Sequence, residues 1–473
     1  MTDTVSKLLI VNRGEIALRV VRTAREMGIP TVVVYAEQDR HSQYVKMADE
    51  AFLLSGDTYA DTYLNEDLLI DILRRSSADA VHPGYGFLSE VPSFADKVIE
   101  AGATWVGPSS RALTDLGDKI SARRVAVYAK VPPVPGISHS LGDMRVLLDF
   151  AHTHGYPLML KRADGGGGRG ITLVRDDDEL RGFYLNHNAV QGGDLDEYFV
   201  ERFIDHGRHV ETQCGRDSHG NFTVYSTRDC SVQRRNQKLI EEAPAPFLAA
   251  ETVRELERAA VAICSRAHYE SAGTVGFLVD DGTMSFMEVN TRIQVEHPVT
   301  EAVTGVDLVA AQLAIAEGAP VEAVPGLESG VTPEPRGHAM EFRINAEDPS
   351  LGFVPFPGVV ESLQVPTGPG IRFDSGVAAG DSISSRYDSM IAKLIVKAST
   401  RAECLRRAER ALAELHIHGV PTVVPFDKAV LESADFGAGA DWRGRRRCVQ
   451  CEFPRVHALD RGGAAAESAL GNA

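Results

Sequence analysis

The segment from Glu288 to Glu296 combines side chains that suit the handling of a metal ion and of an anion. Glu288 and Asn290 stand two residues apart on a predicted strand, so both side chains face one side of it. Oxygen ligands on one face suit Mg²⁺, which keeps bound water and bridges nucleotide phosphates. If the chain stays extended, Arg292, Gln294 and Glu296 place a cation, an amide and a base beside the metal. A carboxylate and an amide at this spacing are otherwise typical of a solvated strand face.

A glycine-rich loop, Asp164-Gly-Gly-Gly-Gly-Arg-Gly170, lies between two predicted strands. Glycine lets backbone N–H groups approach phosphate oxygens closely and lets a loop fold over them. A flexible hairpin turn is the alternative interpretation. Lys161 at the end of the entering strand and Arg169 inside the loop favour phosphate binding, because both carry positive charge. The loop lacks the Gly-Lys-Ser/Thr sequence of a P-loop.

A dense polar run, Arg228 to Lys238, follows another predicted strand. A solvated charged loop is the simplest interpretation of such a run. Its arginines would equally suit an anionic substrate, since the guanidinium fork matches carboxylate or bicarbonate.

The elements that position these residues begin with a βαβ unit. Residues 8–11 form a buried-type strand, and a helix follows whose apolar positions Ile16, Val20, Ala24 and Met27 lie on one face. Gly28 and Pro30 end that helix, and residues 31–35 form the next strand. The fold class predicted is therefore α/β, with an N-terminal Rossmann-like parallel sheet.

Later periodicities predict two further domains and a tail. A predicted hairpin, residues 274–279 and 284–290, is turned by Asp280-Asp-Gly282. A Pro- and Gly-rich linker precedes a β-rich region with one helix, residues 401–415. The predicted boundaries are 1–115 for the N-terminal domain, 116–325 for the central domain with a lid at about 131–205, 336–435 for the C-terminal domain, and 436–473 for an irregular tail.

Composition excludes several classes of function. The 473 residues carry a net charge of −17, which disfavours general nucleic-acid binding because phosphate contacts need a basic face. The polar start and the lack of long apolar runs indicate no signal peptide and no membrane span, so we expect a cytoplasmic protein. Cys448 and Cys451 have zinc-knuckle spacing without a second pair.

Several longer motifs resemble the biotin carboxylase family of ATP-grasp enzymes, the carboxylase component of acyl-CoA, pyruvate and acetyl-CoA carboxylases. They follow the family order from about residue 7 to residue 430. The stretches that carry the resemblance are Asn12-Arg-Gly-Glu-Ile-Ala17, His82-Pro-Gly-Tyr-Gly-Phe-Leu-Ser-Glu90, Gly117-Asp-Lys119, the glycine loop, Arg208-His-Val-Glu211, Arg228-Asp-Cys230, Glu241-Glu-Ala-Pro-Ala-Pro246, Asn290-Thr-Arg-Ile-Gln-Val-Glu-His-Pro-Val-Thr-Glu301, Arg343-Ile-Asn-Ala-Glu-Asp348 and Tyr387-Asp-Ser-Met390.

The resemblance implies a central ATP-grasp domain with a glycine-rich lid, a β-rich C-terminal domain and a role for each matching residue. The reaction would be MgATP plus bicarbonate giving carboxyphosphate, followed by carboxylation of biotin on a carrier. Glu296 would be the base, with Arg343, Lys238 and Arg292 also catalytic. ATP would be bound by Lys119, Lys161, Gly166, Gly167, Gly168, Glu201, His209, Gln233, Asn236 and Leu278. Bicarbonate or biotin would be bound by Lys238, Arg292, Gln294, Val295, Arg343 and Tyr85, and Mg²⁺ or Mn²⁺ by Glu288 and Asn290.

The sequence departs from the family pattern at two site positions. Gly276 stands where the family has a second metal-binding Glu, roughly across the predicted hairpin from Glu288. Losing that charge would lower the rate by about 10²–10³-fold, by analogy with removing one electrostatic contact, unless the change is benign. Asn236 replaces a family His and loses any positive charge, which predicts a smaller effect.

Two hypotheses follow for the activity. The first is a working biotin carboxylase subunit that uses ATP, Mg²⁺ and carrier-bound biotin. We expect it to form a homodimer, because most soluble oligomers are symmetric and two-fold dimers are the commonest of these. The sequence has no Ala/Val-Met-Lys-Met motif, so the resemblance implies a biotin carboxyl carrier protein and a carboxyltransferase on separate chains. The second is a non-catalytic, nucleotide-binding relative in a carboxylase complex. Another ATP-grasp ligase is disfavoured by Glu296-His-Pro298 and the Arg343 region.

Overall fold

A five-stranded parallel sheet forms the N-terminal region, which confirms the predicted α/β class. The computed structural model describes residues 4–137, 141, 143–162, 171–190, 198–204, 207–234, 237–324 and 326–438, apart from the side chains of 188–190, 435 and 438. The strand order is β3-β2-β1-β4-β5. The elements are β1 Leu8–Ile10, α1 Gly14–Glu26, β2 Thr31–Ala36, α2 Gln43–Met47, β3 Glu50–Leu54, α3 Glu66–Ser76, β4 Ala80–His82, α4 Pro92–Glu100, β5 Thr104–Trp105 and α5 Ser110–Gly117.

Helix α1 shows how the apolar period builds this region. Three of its four predicted inner positions, Ile16, Val20 and Ala24, are buried against the sheet, because residues three and four apart share a helix face. Met27 lies just beyond the helix and is 40% exposed, so its predicted place on that face was wrong. Gly28, just beyond the helix, has φ +77°, a left-handed conformation that costs glycine little. The chain therefore turns there into β2, which lies parallel to β1.

A four-stranded antiparallel sheet of order β6-β9-β7-β8 follows in the predicted lid. The two strands predicted at 157–161 and 171–174 are present and pair over residues 158–161 and 171–174, with Lys161 opposite Ile171. The loop between them, including Gly166, Gly167 and Gly168, lies outside the described residues. The elements of this part are α6 Lys119–Tyr128, β6 Gly136–Ile137, α7 Met144–His154, β7 Leu158–Arg162, β8 Ile171–Val174, α8 Asp177–Val190 and β9 Tyr198–Arg202.

An eight-stranded sheet, β14-β13-β10-β11-β12-β15-β22-β20, carries most of the candidate site. It crosses the predicted linker, because β12 pairs with β15 from the C-terminal region. Its elements and their flanking helices up to the linker are β10 Arg208–Arg216, β11 Phe222–Arg234, β12 Gln237–Ala243, α9 Ala250–Arg266, β13 Ser271–Asp280, β14 Thr283–Asn290, α10 His297–Thr304 and α11 Leu308–Ala316.

The C-terminal region contains more helix than the sequence pattern predicted. Besides the expected helix at 401–415, residues 424–432 and 434–438 are helical, so the one-helix prediction was wrong, and residues 436–438 of the predicted tail belong to a helix. The elements are β15 His338–Asn345, β16 Glu347–Asp348, β17 Val354–Pro355, β18 Gly358–Val359, β19 Ser362–Gln364, β20 Ile371–Ser375, β21 Ser382–Ile383, β22 Met390–Ala398, α12 Arg401–Glu414, β23 His416–His418, α13 Val424–Glu432 and α14 Ala434–Ala438. Both short helices pack apolar side chains onto the sheet, a tertiary contact that the local pattern did not reveal.

Within the described part of the chain, no single helix is long and apolar enough to cross a membrane. Helices α10 and α11 are together long and apolar enough for a membrane span, but they meet at a bend of 95°.

Candidate active site

The carboxylate of Glu296 lies between two cations from different strands. Lys238 Nζ on β12 donates to Glu296 Oε1 at 2.5 Å, and Arg343 Nη2 on β15 donates to Oε2 at 2.8 Å. Burial alone would raise the pKa of Glu296, but Lys238 and Arg343 lower it to about 2. Glu296 is therefore ionised at neutral pH, as a general base must be.

A buried arginine organises the residues beneath this carboxylate. Arg228 on β11 is fully buried and donates to Glu211 Oε2 at 3.1 Å, to Thr300 Oγ1 at 3.0 Å and to the side-chain oxygen of Gln294. Glu211 also accepts from Lys238, so one buried anion links two cations. These bonds fix the amide of Gln294 and the ammonium of Lys238, because each long side chain is held at its polar end.

This group contacts the N-terminal region through Arg292 and the C-terminal region through Val295. Arg292 Nε donates to Glu90 Oε2 at 2.9 Å, and the Arg292 fork also meets the carbonyl of Ile293 at 3.2 Å. Lys393 Nζ on β22 donates to the carbonyl of Val295 at 2.9 Å. Tyr85 donates its hydroxyl proton to Glu15. Arg292, Val295 and Tyr85, three of the predicted anion-binding residues, are therefore each held by a hydrogen bond to a charged side chain.

The chain does not stay extended through this segment, which corrects one expectation. Strand β14 ends at Asn290, and Glu296 has φ −82° and ψ 10°, a turn conformation immediately before α10. The side chains of Arg292, Gln294 and Glu296 consequently point to three different partner groups rather than along one strand face. Helix α10 draws the chain inward, because His297 and Val299 are buried.

Across the hairpin, the structure places Gly276 directly opposite Glu288, and Thr274 opposite Asn290. This register confirms that position 276 faces the candidate metal ligands. A Cβ built on Gly276 would lie 3.4 Å from His209 Nε2 and 3.6 Å from Glu288 Cγ, ordinary van der Waals distances. A larger side chain therefore has room to start toward Glu288.

Glu288 and Asn290 fit a cation only in part. Burial would raise the pKa of Glu288, but Lys119, His209 and Lys238 lower it below its usual range. Asn290 Nδ2 is buried without a hydrogen-bond partner in the described structure, while Asn290 Oδ1 is 3.5 Å from an Arg292 nitrogen. One carboxylate and one amide suit a Mg²⁺ that keeps water and takes phosphate oxygens, but they supply a single formal charge.

The predicted nucleotide residues that the structure describes form a second group on α6 and on strands β7, β9, β10, β11 and β13. Lys161 and Arg123 both bond to the buried carboxylate of Glu201. Gln233 Nε2 lies 2.9 Å from His209 Nδ1, and His209 is the Cα partner of Leu278. Lys119 opens α6. Asn236, like the glycine loop, lies outside the described residues.

Two carboxylates and a thiol beside the base form an alternative candidate metal site. Ligand atoms of Glu211, Cys230 and Glu296 lie within 4.8 Å of one another. A metal ion there would have to displace the Lys238 ammonium, which already bonds to both carboxylates, and would face Arg228. Burial also raises the pKa of the Cys230 thiol well above its ordinary value, so it is a poor ligand at neutral pH. These charges disfavour a metal at this place.

Sequence reasoning assigned no role to three residues that hold the site together, Glu211, Glu90 and Glu241, and it placed Arg228 only among cations that would suit an anionic substrate. The polar run at 228–238 is not a solvated loop, because residues 222–234 and 237–243 are strands and Arg228 is fully buried. A signal was present in Leu239-Ile-Glu241-Glu-Ala243, where charges interrupt an apolar strand. Charged groups inside a strand must be paired when buried, so such positions point to an ion network.

Three family models match the chain in sequence order. "Biotin carboxylase, N-terminal domain" matches residues 4–113, "Carbamoyl-phosphate synthase L chain, ATP binding domain" matches residues 118–324, and "Biotin carboxylase C-terminal domain" matches residues 341–441.

Similar proteins share nearly the whole chain. The biotin-dependent acyl-coenzyme A carboxylase alpha3 subunit of Mycobacterium leprae is 49% identical over 96% of this chain and 75% of its own length. The biotin carboxylase of Haemophilus influenzae is 43% identical over 92% of this chain and 96% of its own length. The biotin carboxylase domain dimer of Hydrogenobacter thermophilus 2-oxoglutarate carboxylase, solved with MgADP, ADP and bicarbonate, superposes with a TM-score of 0.86 at 40% identity, covering 92% of this chain and 96% of that one.

Proposed function

The chain belongs to the biotin carboxylase family, and from that premise we propose that it carboxylates biotin with ATP and bicarbonate by way of carboxyphosphate. Such an enzyme is an ATP-dependent ligase with an ATP-grasp domain. The observation that carries the proposal is Glu296, an ionised buried carboxylate held between Lys238 and Arg343.

The anion end of the site supports bicarbonate as the first substrate. Lys238, Arg292 and Gln294 bring two cations and an amide to one neighbourhood, and with Val295 they would hold the anion. Glu296 would take its proton. A bound anion would offset part of the positive charge that Lys238 and Arg343 place around Glu296, and this would raise the basicity of the carboxylate.

The nucleotide end supports ATP as the phosphoryl donor. Lys119 and Lys161 would neutralise phosphate charge, Glu201 and His209 would contact adenine and ribose, and Glu288 and Asn290 would hold Mg²⁺. The metal, when bound, bridges phosphate oxygens and neutralises the charge that develops on transfer. Phosphoryl transfer needs positioning and charge neutralisation more than covalent help, and these side chains supply both. Further ATP contacts that we propose are those of Gly166, Gly167, Gly168, Gln233, Asn236 and Leu278.

The second half-reaction needs a biotin acceptor. Arg343 would stabilise carboxyphosphate and the biotin anion, with Tyr85 nearby, and a biotin carboxyl carrier protein would present the biotin. A carboxyltransferase would then pass the carboxyl group onward.

We propose a homodimer, as in the Hydrogenobacter structure, and domains at 1–115, 116–325 and 336–435.

We further propose that Gly276 weakens the activity. The hairpin register puts position 276 opposite Glu288, so the missing carboxylate belongs to the metal face. Restoring it with Gly276→Glu should raise the rate of ADP release at least about tenfold, as expected for one electrostatic contact. Equal rates in the two proteins would contradict this proposal and leave the family reaction intact.

The function is tested by ADP release from ATP with and without bicarbonate and free biotin. A biotin carboxylase should require bicarbonate, and free biotin should stimulate it. Nucleotide binding with no bicarbonate-dependent turnover, in both the wild type and Gly276→Glu, would instead support a non-catalytic relative. Gly276 is the observation that favours this second candidate.

A further inference from the structure

Two buried carboxyl groups lie side by side in the eight-stranded sheet, next to the arginine that holds Glu296. Glu241 on β12 and Glu341 on β15 are direct cross-strand partners, and both are fully buried. Residues opposite each other in an antiparallel pair have Cβ atoms about 4.5–5.5 Å apart, so the two carboxyl groups are within reach of one another.

Arg343 connects this pair to the base. Its Nε donates to Glu241 Oε1 at 2.6 Å, while its Nη2 donates to Glu296 Oε2 at 2.8 Å. Arg343 follows Glu341 by two residues on β15, so their side chains share a sheet face. The guanidinium is therefore held between two carboxylates, because Glu241 Oε1 lies 2.6 Å from both Nε and Nη2 while Nη2 also bonds to Glu296.

Three oxygens of the pair lack hydrogen-bond partners. Among the residues that the structure describes, Glu241 Oε2 and both oxygens of Glu341 are buried and unbonded. An ionised carboxylate can only accept hydrogen bonds, whereas a protonated one also donates. One proton held between the two groups would satisfy two of these oxygens, and two adjacent buried carboxylates do not both ionise readily.

The surrounding charges favour one proton rather than none or two. Arg343, Lys393 and Lys238 supply positive charge and Glu296 supplies negative charge. Burial and the nearby Glu241 raise the pKa of Asp427 on α13 well above its ordinary value, so this carboxyl group is neutral at neutral pH. Lys393 is already engaged with Glu15 at 3.1 Å and with the Val295 carbonyl, and Asp374 and His297 also face it. Burial raises the pKa of Glu241 to about 7 and that of Glu341 well above its ordinary value.

We propose that Glu241 and Glu341 share one proton and act together as positioning residues for Arg343. Glu341 carries the proton and donates a hydrogen bond to Glu241, so Glu241 stays anionic and holds Arg343 against Glu296. Adding a second proton at low pH removes the anion that faces Arg343 and loosens the clamp. The role in carboxylation rests on the proposed function, whereas the shared proton does not.

The shared proton is tested by infrared spectroscopy of the full chain labelled with ¹³C-glutamate, which separates glutamate from the buried Asp427. The wild type at neutral pH should show the carbonyl stretch of a protonated glutamic acid, and Glu341→Gln should lack it. The matched control is Glu242→Gln, on the same strand, whose carboxylate pairs with Arg401 and His338 and should leave the band in place. A wild type without this band, or a band that survives in Glu341→Gln, overturns the proposal, and neither result depends on turnover.

The positioning role is tested by the pH profile of kcat for bicarbonate-dependent ADP release. In Glu341→Gln the acid limb should move to higher pH, because an amide N–H stabilises the Glu241 anion less than the O–H of a neutral carboxylic acid does. Glu241→Gln should lower kcat about 10- to 100-fold, the loss typical of a hydrogen bond to a charged group, and Glu241→Asp should recover part of it. An acid limb that stays in place in Glu341→Gln, or an undiminished kcat in Glu241→Gln, contradicts the role.

Discussion

The two ends of the candidate site differ in how completely their charges are paired. At the anion end, Glu296, Lys238 and Arg343 hold one another at 2.5–2.8 Å, and Arg228 supports them from beneath. At the metal end, Glu288 faces Gly276 across the hairpin, and the Asn290 amide nitrogen has no partner in the described structure. One end is preorganised by protein charges, whereas the other depends on ligands to complete it.

This contrast indicates where binding energy acts. Preorganised charges need little rearrangement when charge develops, so the anion end stabilises the transition state directly. The metal end must gather Mg²⁺, water and phosphate around a single carboxylate. Changes at the anion end should therefore be damaging, whereas the metal end offers room for improvement.

The largest expected effect comes from removing the base. Glu296→Gln keeps the shape of the side chain but cannot accept the bicarbonate proton, so bicarbonate-dependent ADP release should fall about 10³-fold. The exposed Glu322→Gln is the control, because it lies outside the site. A loss smaller than about tenfold would show that Glu296 is not the general base.

The next effect is on stability rather than rate. Arg228→Met leaves Glu211 buried without one of its cations, which should reduce the free energy of unfolding by about 3–5 kcal/mol. Urea unfolding of this variant and of the exposed control Arg258→Met measures the difference. If both variants unfold alike, the anion end is not held together by Arg228.

A tenfold effect is expected at the metal end. Gly276→Glu should lower the Mg²⁺ concentration for half-maximal activity about tenfold, because a second carboxylate faces the metal. Gly276→Ala is the matched control, since a Cβ fits there at ordinary contact distances but brings no charge. A similar shift in both variants would mean that strand stiffening, not charge, is responsible.

The smallest effect is expected at the edge of the site. Tyr85→Phe removes the hydroxyl that bonds to Glu15, a single hydrogen bond of about 1 kcal/mol. The KM for free biotin should rise about fivefold or less, while kcat stays close to that of the wild type. A large fall in kcat would instead place Tyr85 among the residues that contact the reacting atoms.

Much of the fold followed from local patterns. The βαβ unit, the strands beside the glycine loop and the hairpin at 274–290 all came from apolar periodicity and turn residues, which act over neighbouring positions. The extra helices at 424–432 and 434–438 were missed because their stability comes from packing on a distant sheet. The bend after Asn290 was missed for the same reason, since burial of α10 decides it.

Residue types and motif order alone determined the family resemblance, the opposition of Gly276 to Glu288 and the choice of Glu296 as base. Only the tertiary structure decided how Glu296 is held, because Lys238 and Arg343 reach it from strands on either side of the predicted linker. The Glu241–Glu341 pair likewise arises from β12 pairing with β15, a contact between residues 100 positions apart. Spacing along a chain specifies neighbours within an element, but charge pairing between elements depends on the register in which they meet.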